Sequence, residues 1–143
     1  IMGKIALIIP TLNELENIEK LVTEIKSNLK DVSIFIVDDS NDNSLGEHIN
    51  KKKIQAHYFH RKNSSGRGSA IMFGLKKCLE IDGFDIFIEM DADFSHDPKE
   101  LPRNINYFLE NNLDLLIASR YLKKSKIVNW SLSRRIFSKL ANF

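Results

Sequence analysis

The sequence predicts an α/β domain built on a mostly parallel sheet, and three observations predict it. Short continuous apolar runs recur, Ile5–Ile9, Ser33–Val37 and Ile86–Ile88 among them, as expected of strands covered on both faces. Segments of helical spacing separate them, such as Leu15, Ile18, Val22, Ile25 and Leu29. Short polar residues, many of them carboxylates, follow the strands, where open α/β sheets bind their ligands. The alternation continues without an internal repeat, low-complexity block or linker, so residues 1–143 read as one domain.

Ile5-Ala6-Leu7-Ile8-Ile9 is the first strand, and Pro10 ends it because proline cannot extend a ladder. Asn13-Glu14-Leu15-Glu16 reads as a helix N-cap with an acid at the third position. Glu14 falls in the first turn beside the strand end, where an acid also simply suits the helix dipole. The second strand, Ser33–Val37, runs into Asp38-Asp39-Ser40-Asn41-Asp42-Asn43-Ser44. That run is good turn chemistry. It is equally a place where an acid takes a ribose hydroxyl, and local sequence leaves both readings open. A short helix over Leu45–Lys51 and a third strand over Ala56–His60 follow.

Arg61–Ser69 is a basic, flexible loop that opens a helix whose small residues Ala70, Gly74 and Cys78 permit close packing. Gly66-x-Gly68 lacks the third glycine of a dinucleotide fingerprint, since Ile71 stands there, and lacks the Gly-Lys-Ser/Thr ending of a P-loop. The loop's amides and Arg67 still leave an approach to phosphate open.

The fourth strand, Ile86–Ile88, leads to Asp91-Ala92-Asp93. Asp97-Pro98-Lys99-Glu100 then starts a helix with an N-cap, a first-turn proline and an acid, and the helix carries Leu101, Ile105, Phe108 and Leu109. Two carboxylates so close repel unless a cation lies between them. Hard divalent ions favour such oxygens, and Mg²⁺ adds substrate phosphates to one or two carboxylates. Alone, the triplet also serves as a solvated turn; the strand before it and the capped helix after it favour a metal site. His96 is close by, while His48, His57 and His60 show no metal-ligand spacing. Asp114–Ala118 reads as a fifth strand with Ser119-Arg120-Tyr121 at its end. An arginine there can pair bidentately with phosphate, or be an ordinary surface residue. Leu132, Ile136, Leu140 and Phe143 make one face of a last helix, which ends on an apolar residue without a C-cap glycine; the chain reads as truncated there.

Composition narrows the function classes. Of 143 residues, 43% are hydrophobic, enough for a core. The single cysteine, Cys78, allows no internal disulfide and fits a reducing compartment. No apolar run approaches the roughly 18 residues of a membrane span, and no signal-peptide pattern opens the sequence. The net charge of +2 hides an asymmetry: residues 1–114 hold 14 basic and 19 acidic residues, and the seven basic residues after them meet no acid. An acidic body with a basic tail suggests an anionic ligand or surface near the tail. It argues against nucleic acid, for which no motif is present.

Taken together, the ordered pieces resemble family 2 glycosyltransferases of the GT-A fold, and within them the dolichol-phosphate (polyprenyl-phosphate) mannosyltransferase group. The pieces are Ile9-Pro10-Thr11-Leu12-Asn13-Glu14, Val37-Asp38-Asp39-Ser40, Gly66-Arg67-Gly68-Ser69-Ala70, Asp91-Ala92-Asp93-Phe94-Ser95-His96 with Pro98 and Leu101-Pro102, and Ser119-Arg120-Tyr121. The resemblance implies a Rossmann-like three-layer α/β/α domain, of which residues 1–143 are the N-terminal part. It implies that Pro10, Glu14, Val37 and Asp39 line a nucleoside pocket. Asp91 and Asp93, with the Ala92 backbone beside them, would position Mg²⁺ or Mn²⁺ on the donor diphosphate, and Arg120 would contact phosphate. Asp91, Asp93 and Arg120 are thus the residues implied for catalysis. The implied reaction moves a sugar, with inversion, from a nucleotide donor such as GDP-mannose to a polyprenyl or dolichyl phosphate. An anionic phosphate nucleophile needs no strong general base. A cytoplasmic protein held peripherally at the membrane face by its basic tail is expected. Leu12 stands where the family commonly has an aromatic residue, and Asn43 and its neighbours replace a glycine-containing turn. The rival readings are another family 2 transferase using a donor such as UDP-glucose, a nucleotide-binding fragment without turnover, and an NAD-binding oxidoreductase domain.

Overall fold

The computed structural model describes residues 3–62, 66–81 and 83–119. The chain divides into two units, Ile1–Asn106 and Tyr107–Phe143. The first holds four parallel strands: β1 (Ile5–Thr11), β2 (Val32–Asp38), β3 (His57–His60) and β4 (Ile86–Glu89). Their order is β3-β2-β1-β4. The chain winds outward from β1 to β3, then returns across the sheet to set β4 beside β1. The strand order therefore reverses between β1 and β4, where doubly wound sheets open a ligand crevice. Because every strand is parallel, all their carboxyl ends share one edge. Thr11 pairs with Asp38 there, and Asp38 with His60.

One face of the sheet carries Ala6, Ile8, Phe35 and Val37, all buried. Helix α3 (Arg67–Glu80) covers it through Ala70, Gly74 and Cys78. A Cβ on Gly74 would meet Ile8 Cγ2 at 2.6 Å and Val37 Cγ2 at 3.2 Å, so the small-residue stripe brings the helix backbone directly onto β1 and β2. Phe35 stacks on His57 with ring centres 4.6 Å apart and meets Phe84 edge-on. Burial pushes the Cys78 thiol up to about 11, so it acts here as a small apolar residue. Helices α1 (Leu15–Asn28) and α2 (Ser44–Lys52) lie together on the opposite face, as the usual right-handed crossover would place them. There Ile18, Leu21, Ile25 and Leu45 are buried, and Gly46 packs against the Tyr58 ring. Each such apolar side chain contributes about 1.5–3 kcal/mol on burial.

Local departures from the expected elements have physical reasons. Asn13 is not the cap of α1. It adopts the left-handed conformation (φ 58°) and its amide donates to Ser40 Oγ at 2.9 Å, so Glu14 takes the N-cap position without a side-chain cap. Helix α3 begins at Arg67, which places Arg67, Gly68 and Ser69 in its first turn rather than in a loop. Gly66 precedes them at φ 92°, a conformation that favours glycine. The Asp97 cap forms as expected: its carboxylate accepts from the Lys99 amide at 3.0 Å, Pro98 follows, and a 3₁₀ turn over Pro98–Glu100 leads into α4 (Leu101–Glu110).

The expected fifth strand, Asp114–Ala118, is not formed; residues 113–119 make no strand, and Leu115 and Ile117 are each 74% exposed. An apolar run becomes a strand only by pairing, and this one has no ladder partner among the described residues. Arg120, the basic tail and the helix expected over 132–143 lie outside the described residues.

Candidate functional site

The carboxyl edge of the sheet is braced before it offers anything to a ligand. The two adjacent acids at the end of β2, Asp38 and Asp39, are given different work by strand alternation. Asp38 points into the protein and is fully buried. Its Oδ1 accepts from Thr11 Oγ1 at 3.0 Å, from the Ser40 amide at 3.1 Å and from Ser40 Oγ at 2.6 Å, and its Oδ2 accepts from Tyr58 Oη at 2.9 Å. Burial, together with donation to Asp38, raises the Tyr58 phenol well above its ordinary range and keeps it a donor. This is a structural hub joining β1, β2 and β3.

Asp39 turns the other way. Both its oxygens are held by Arg61, Nε to Oδ1 at 2.7 Å and Nη2 to Oδ2 at 2.6 Å, and Arg61 Nη1 donates to Ser69 Oγ at 2.8 Å. The pair is nearly enclosed, with side chains 13% and 9% exposed. Arg61 takes two of the four lone-pair sites of Asp39. Arg61 was not singled out by the sequence reading. The signal was the parallel register of β2 with β3, which sets the residue after His60 beside the residue after Asp38.

Glu14 faces a cleft of about 310 Å³ between the first turns of α1 and α2, lined also by Asn17, Ser40, Asp42 and Ser44. Its Oε2 accepts from Asn17 Nδ2 at 2.6 Å. Asp39, Asp91 and Asp93 do not line that cleft. Pro10 is part-buried near the end of β1. Val37 and Ala92 are buried, which leaves the main chain as what either can offer a ligand.

Asp91 and Asp93 sit just past β4, on a loop built from tight local bonds. The Asp91 amide donates weakly to His96 Nδ1 at 3.3 Å, and Asp93 Oδ1 accepts from the Ser95 amide at 2.9 Å. Phe94, which follows Asp93, is left-handed (φ 58°), a strained position for an aromatic residue, with Lys20 of α1 5.2 Å from its ring centre. Burial pushes the Asp93 carboxyl up. The hydrogen bonds of Ser95 and the charge of His96 outweigh this and hold it below the usual carboxylate range. Asp91 Oδ1 accepts from Arg67 Nε at 3.0 Å and Nη2 at 2.9 Å, and Arg67 also pairs with Glu89.

Among the described residues, no three His, Cys, Asp or Glu side chains converge as a cage for a metal ion. Two ionised carboxylates on one loop do fit a hard divalent cation completed by phosphate oxygens and water. Asp91 and Asp93 are the residues that would hold it.

Comparison with known proteins agrees with the architecture. The chain is 33% identical over 138 residues to the undecaprenyl-phosphate mannosyltransferase of Micrococcus luteus, a match covering 94% of this chain and 56% of that protein. It is 36% identical over 140 residues to the dolichol-phosphate mannosyltransferase of Pyrococcus furiosus, covering 95% and 38%. The chain thus spans about half the length of the curated relatives it matches. Glucosyl-3-phosphoglycerate synthase from Mycobacterium tuberculosis, crystallised with Mn²⁺, UDP and glucosyl-3-phosphoglycerate, shares the fold with a TM-score of 0.55 and 21% identity over 76% of this chain and 40% of that one. The GT-A fold is therefore observed. Residues 6–143 match the profile described as "Glycosyl transferase family 2", and with the sheet order and acidic strand ends in place, the chain belongs to that family.

Proposed function

We propose that the chain is the donor-binding part of a metal-dependent, inverting glycosyltransferase that moves mannose from GDP-mannose to a polyprenyl or dolichyl phosphate. The observation that carries this reading is the position of Asp91 and Asp93 past β4, at the reversal of strand order, in a family 2 chain. The choice of mannose and of a lipid phosphate is supported by the relatives at 33–36% identity, which are named for that transfer.

In the reaction proposed, the bond from the anomeric carbon to the donor's β-phosphate oxygen breaks as the acceptor phosphate oxygen bonds that carbon from the opposite face. Mg²⁺ or Mn²⁺, when bound, would stabilise the negative charge that collects on the leaving diphosphate. Asp91 and Asp93 would hold that ion, with the Ala92 main chain beside it. Glu14 and Asp39, with Pro10 and the main chain of Val37, would receive the nucleoside. The acceptor phosphate is already anionic, so no side chain must take its proton. Arg120 would supply a further phosphate contact. The basic residues after Asp114 would draw the chain to an anionic membrane surface, at the cytoplasmic face. No described helix is long and apolar enough to cross a membrane.

The test is calorimetric. GDP-mannose, UDP-glucose and NAD are titrated with and without Mn²⁺. Mn²⁺-dependent binding of GDP-mannose, lost in Asp93→Ala, is expected. Preference for UDP-glucose would keep the family and change the donor. Binding of NAD in place of a nucleotide sugar would overturn the reading.

A further inference from the structure

Arg67 has no role in the reaction proposed above, yet it is paired with one of the two carboxylates assigned to the cation. It lies in the first turn of α3, behind Gly66, and its guanidinium spans to the far end of β4. Glu89 and Asp91 are two residues apart on an extended path, so their side chains project on the same side. One guanidinium serves both, with two hydrogen bonds reaching the same oxygen of Asp91. That oxygen belongs to a residue proposed above to hold the divalent cation. A resident monocation and an arriving dication therefore compete for one carboxylate.

We propose that Arg67 is the resident counter-ion of the metal site: without metal it offsets one of the two negative charges of Asp91 and Glu89, and when metal arrives with a nucleoside diphosphate it leaves Asp91 and turns to the diphosphate. The inference rests on the reading that Asp91 and Asp93 bind the cation. The exchange is balanced in charge. The dication replaces the guanidinium on Asp91, and the diphosphate brings the negative charge that receives the guanidinium. Arg67 suits the second task, because a planar fork matches phosphate oxygens bidentately. Its side chain is 54% exposed and so has room to swing. A guanidinium stays protonated across the ordinary pH range, so the exchange moves a charge and no proton.

Two affinities with opposite expected signs test this. Mn²⁺ alone is titrated into the full chain as wild type, Arg67→Met and Arg67→Lys; GDP and UDP are then titrated at saturating Mn²⁺. Loss of an exposed competing pair should tighten Mn²⁺ binding by Arg67→Met ~2- to 5-fold. Loss of a charged hydrogen-bond donor should weaken binding of the diphosphate ~10-fold or more. Arg67→Lys, which keeps the charge and loses the fork, should fall between on both, and it carries the test if Arg67→Met does not fold by circular dichroism. Mn²⁺ affinity left unchanged or weakened by the substitution overturns the counter-ion role. Tighter Mn²⁺ with unchanged diphosphate affinity keeps that role and overturns the swing. Wild-type protein that binds no Mn²⁺, with or without nucleotide, overturns the metal-site reading itself and the inference with it.

Discussion

Removing Arg61 should unfold the edge of this sheet more than its place on a strand end suggests. The Arg61→Met substitution leaves Asp39 nearly enclosed and without the two bonds of 2.7 and 2.6 Å that hold it. Breaking such a pair from one side costs about 3–5 kcal/mol, because a charge stays behind without compensation. For a chain of this length each kcal/mol lowers Tm by about 3–4 °C, so a loss of roughly 10–20 °C is expected. Asp39→Asn alone should cost less, about 1–3 kcal/mol, since the guanidinium keeps Ser69 as an acceptor. The double substitution Arg61→Met with Asp39→Asn removes both charges and should cost only about 1–2 kcal/mol. Urea unfolding of the four proteins at pH 7 gives the coupling, expected at about 2–7 kcal/mol. Additivity within about 0.5 kcal/mol would refute the reasoning, because the pair would then behave as two independent solvated charges.

Other perturbations should read out separate features. Gly74→Ala gains helix propensity of about 1 kcal/mol but drives a methyl onto Ile8 and Val37; the overpacking should win by about 1–2 kcal/mol in urea unfolding. Asp97→Ala removes the bond to the Lys99 amide and should cost about 1 kcal/mol, measured the same way. Asp93 titrates lower in the folded chain than its unfolded value of 3.8, so its contribution is present above that value and lost as pH falls through the folded pKa. The stability gap between wild type and Asp93→Asn should therefore hold at pH 5 and close as pH falls below 3.8; a gap that widens on acidification would contradict the assignment.

The parts of the fold that were legible in the sequence are those fixed by local pattern. Continuous apolar runs gave β1, β2 and β4, a 3.6-residue period gave α1, and Asp97 with Pro98 gave a helix start whose cap bond is present. The stripe of Ala70, Gly74 and Cys78 announced a close helix-to-sheet contact. What was not legible depends on pairing. Asn13 looks like a cap locally, but its amide is claimed by Ser40, 27 residues away. Asp114–Ala118 looks like a strand until a partner is required. Asp38 and Asp39 look equivalent until one side chain is buried beneath three donors' side chains and the other meets Arg61. The acidic loop after β4 was visible as a candidate; the guanidinium resting on it was not, because nothing in the spacing of Arg67 and Asp91 reveals that the first turn of α3 comes within reach of that loop.

The strand order also sets a timetable for synthesis. β1, β2 and β3 follow one another within the first 60 residues, so the half of the edge holding Asp38, Asp39 and Arg61 can assemble as soon as it has left the ribosome. β4 pairs with β1 in the register Ile5 with Ile86, so that ladder closes a loop of some eighty residues. At ~5–20 residues per second, the stretch from His60 to Ile86 adds roughly one to five seconds of translation. During that interval the nascent chain has the edge that holds Asp38 and Asp39 and no acidic loop, and the β1 edge waits unpaired. Asp91 and Asp93 join the edge only when β4 docks, so a nascent chain stalled before Ile86 lacks the residues proposed to hold a metal ion there, whatever else it has already folded.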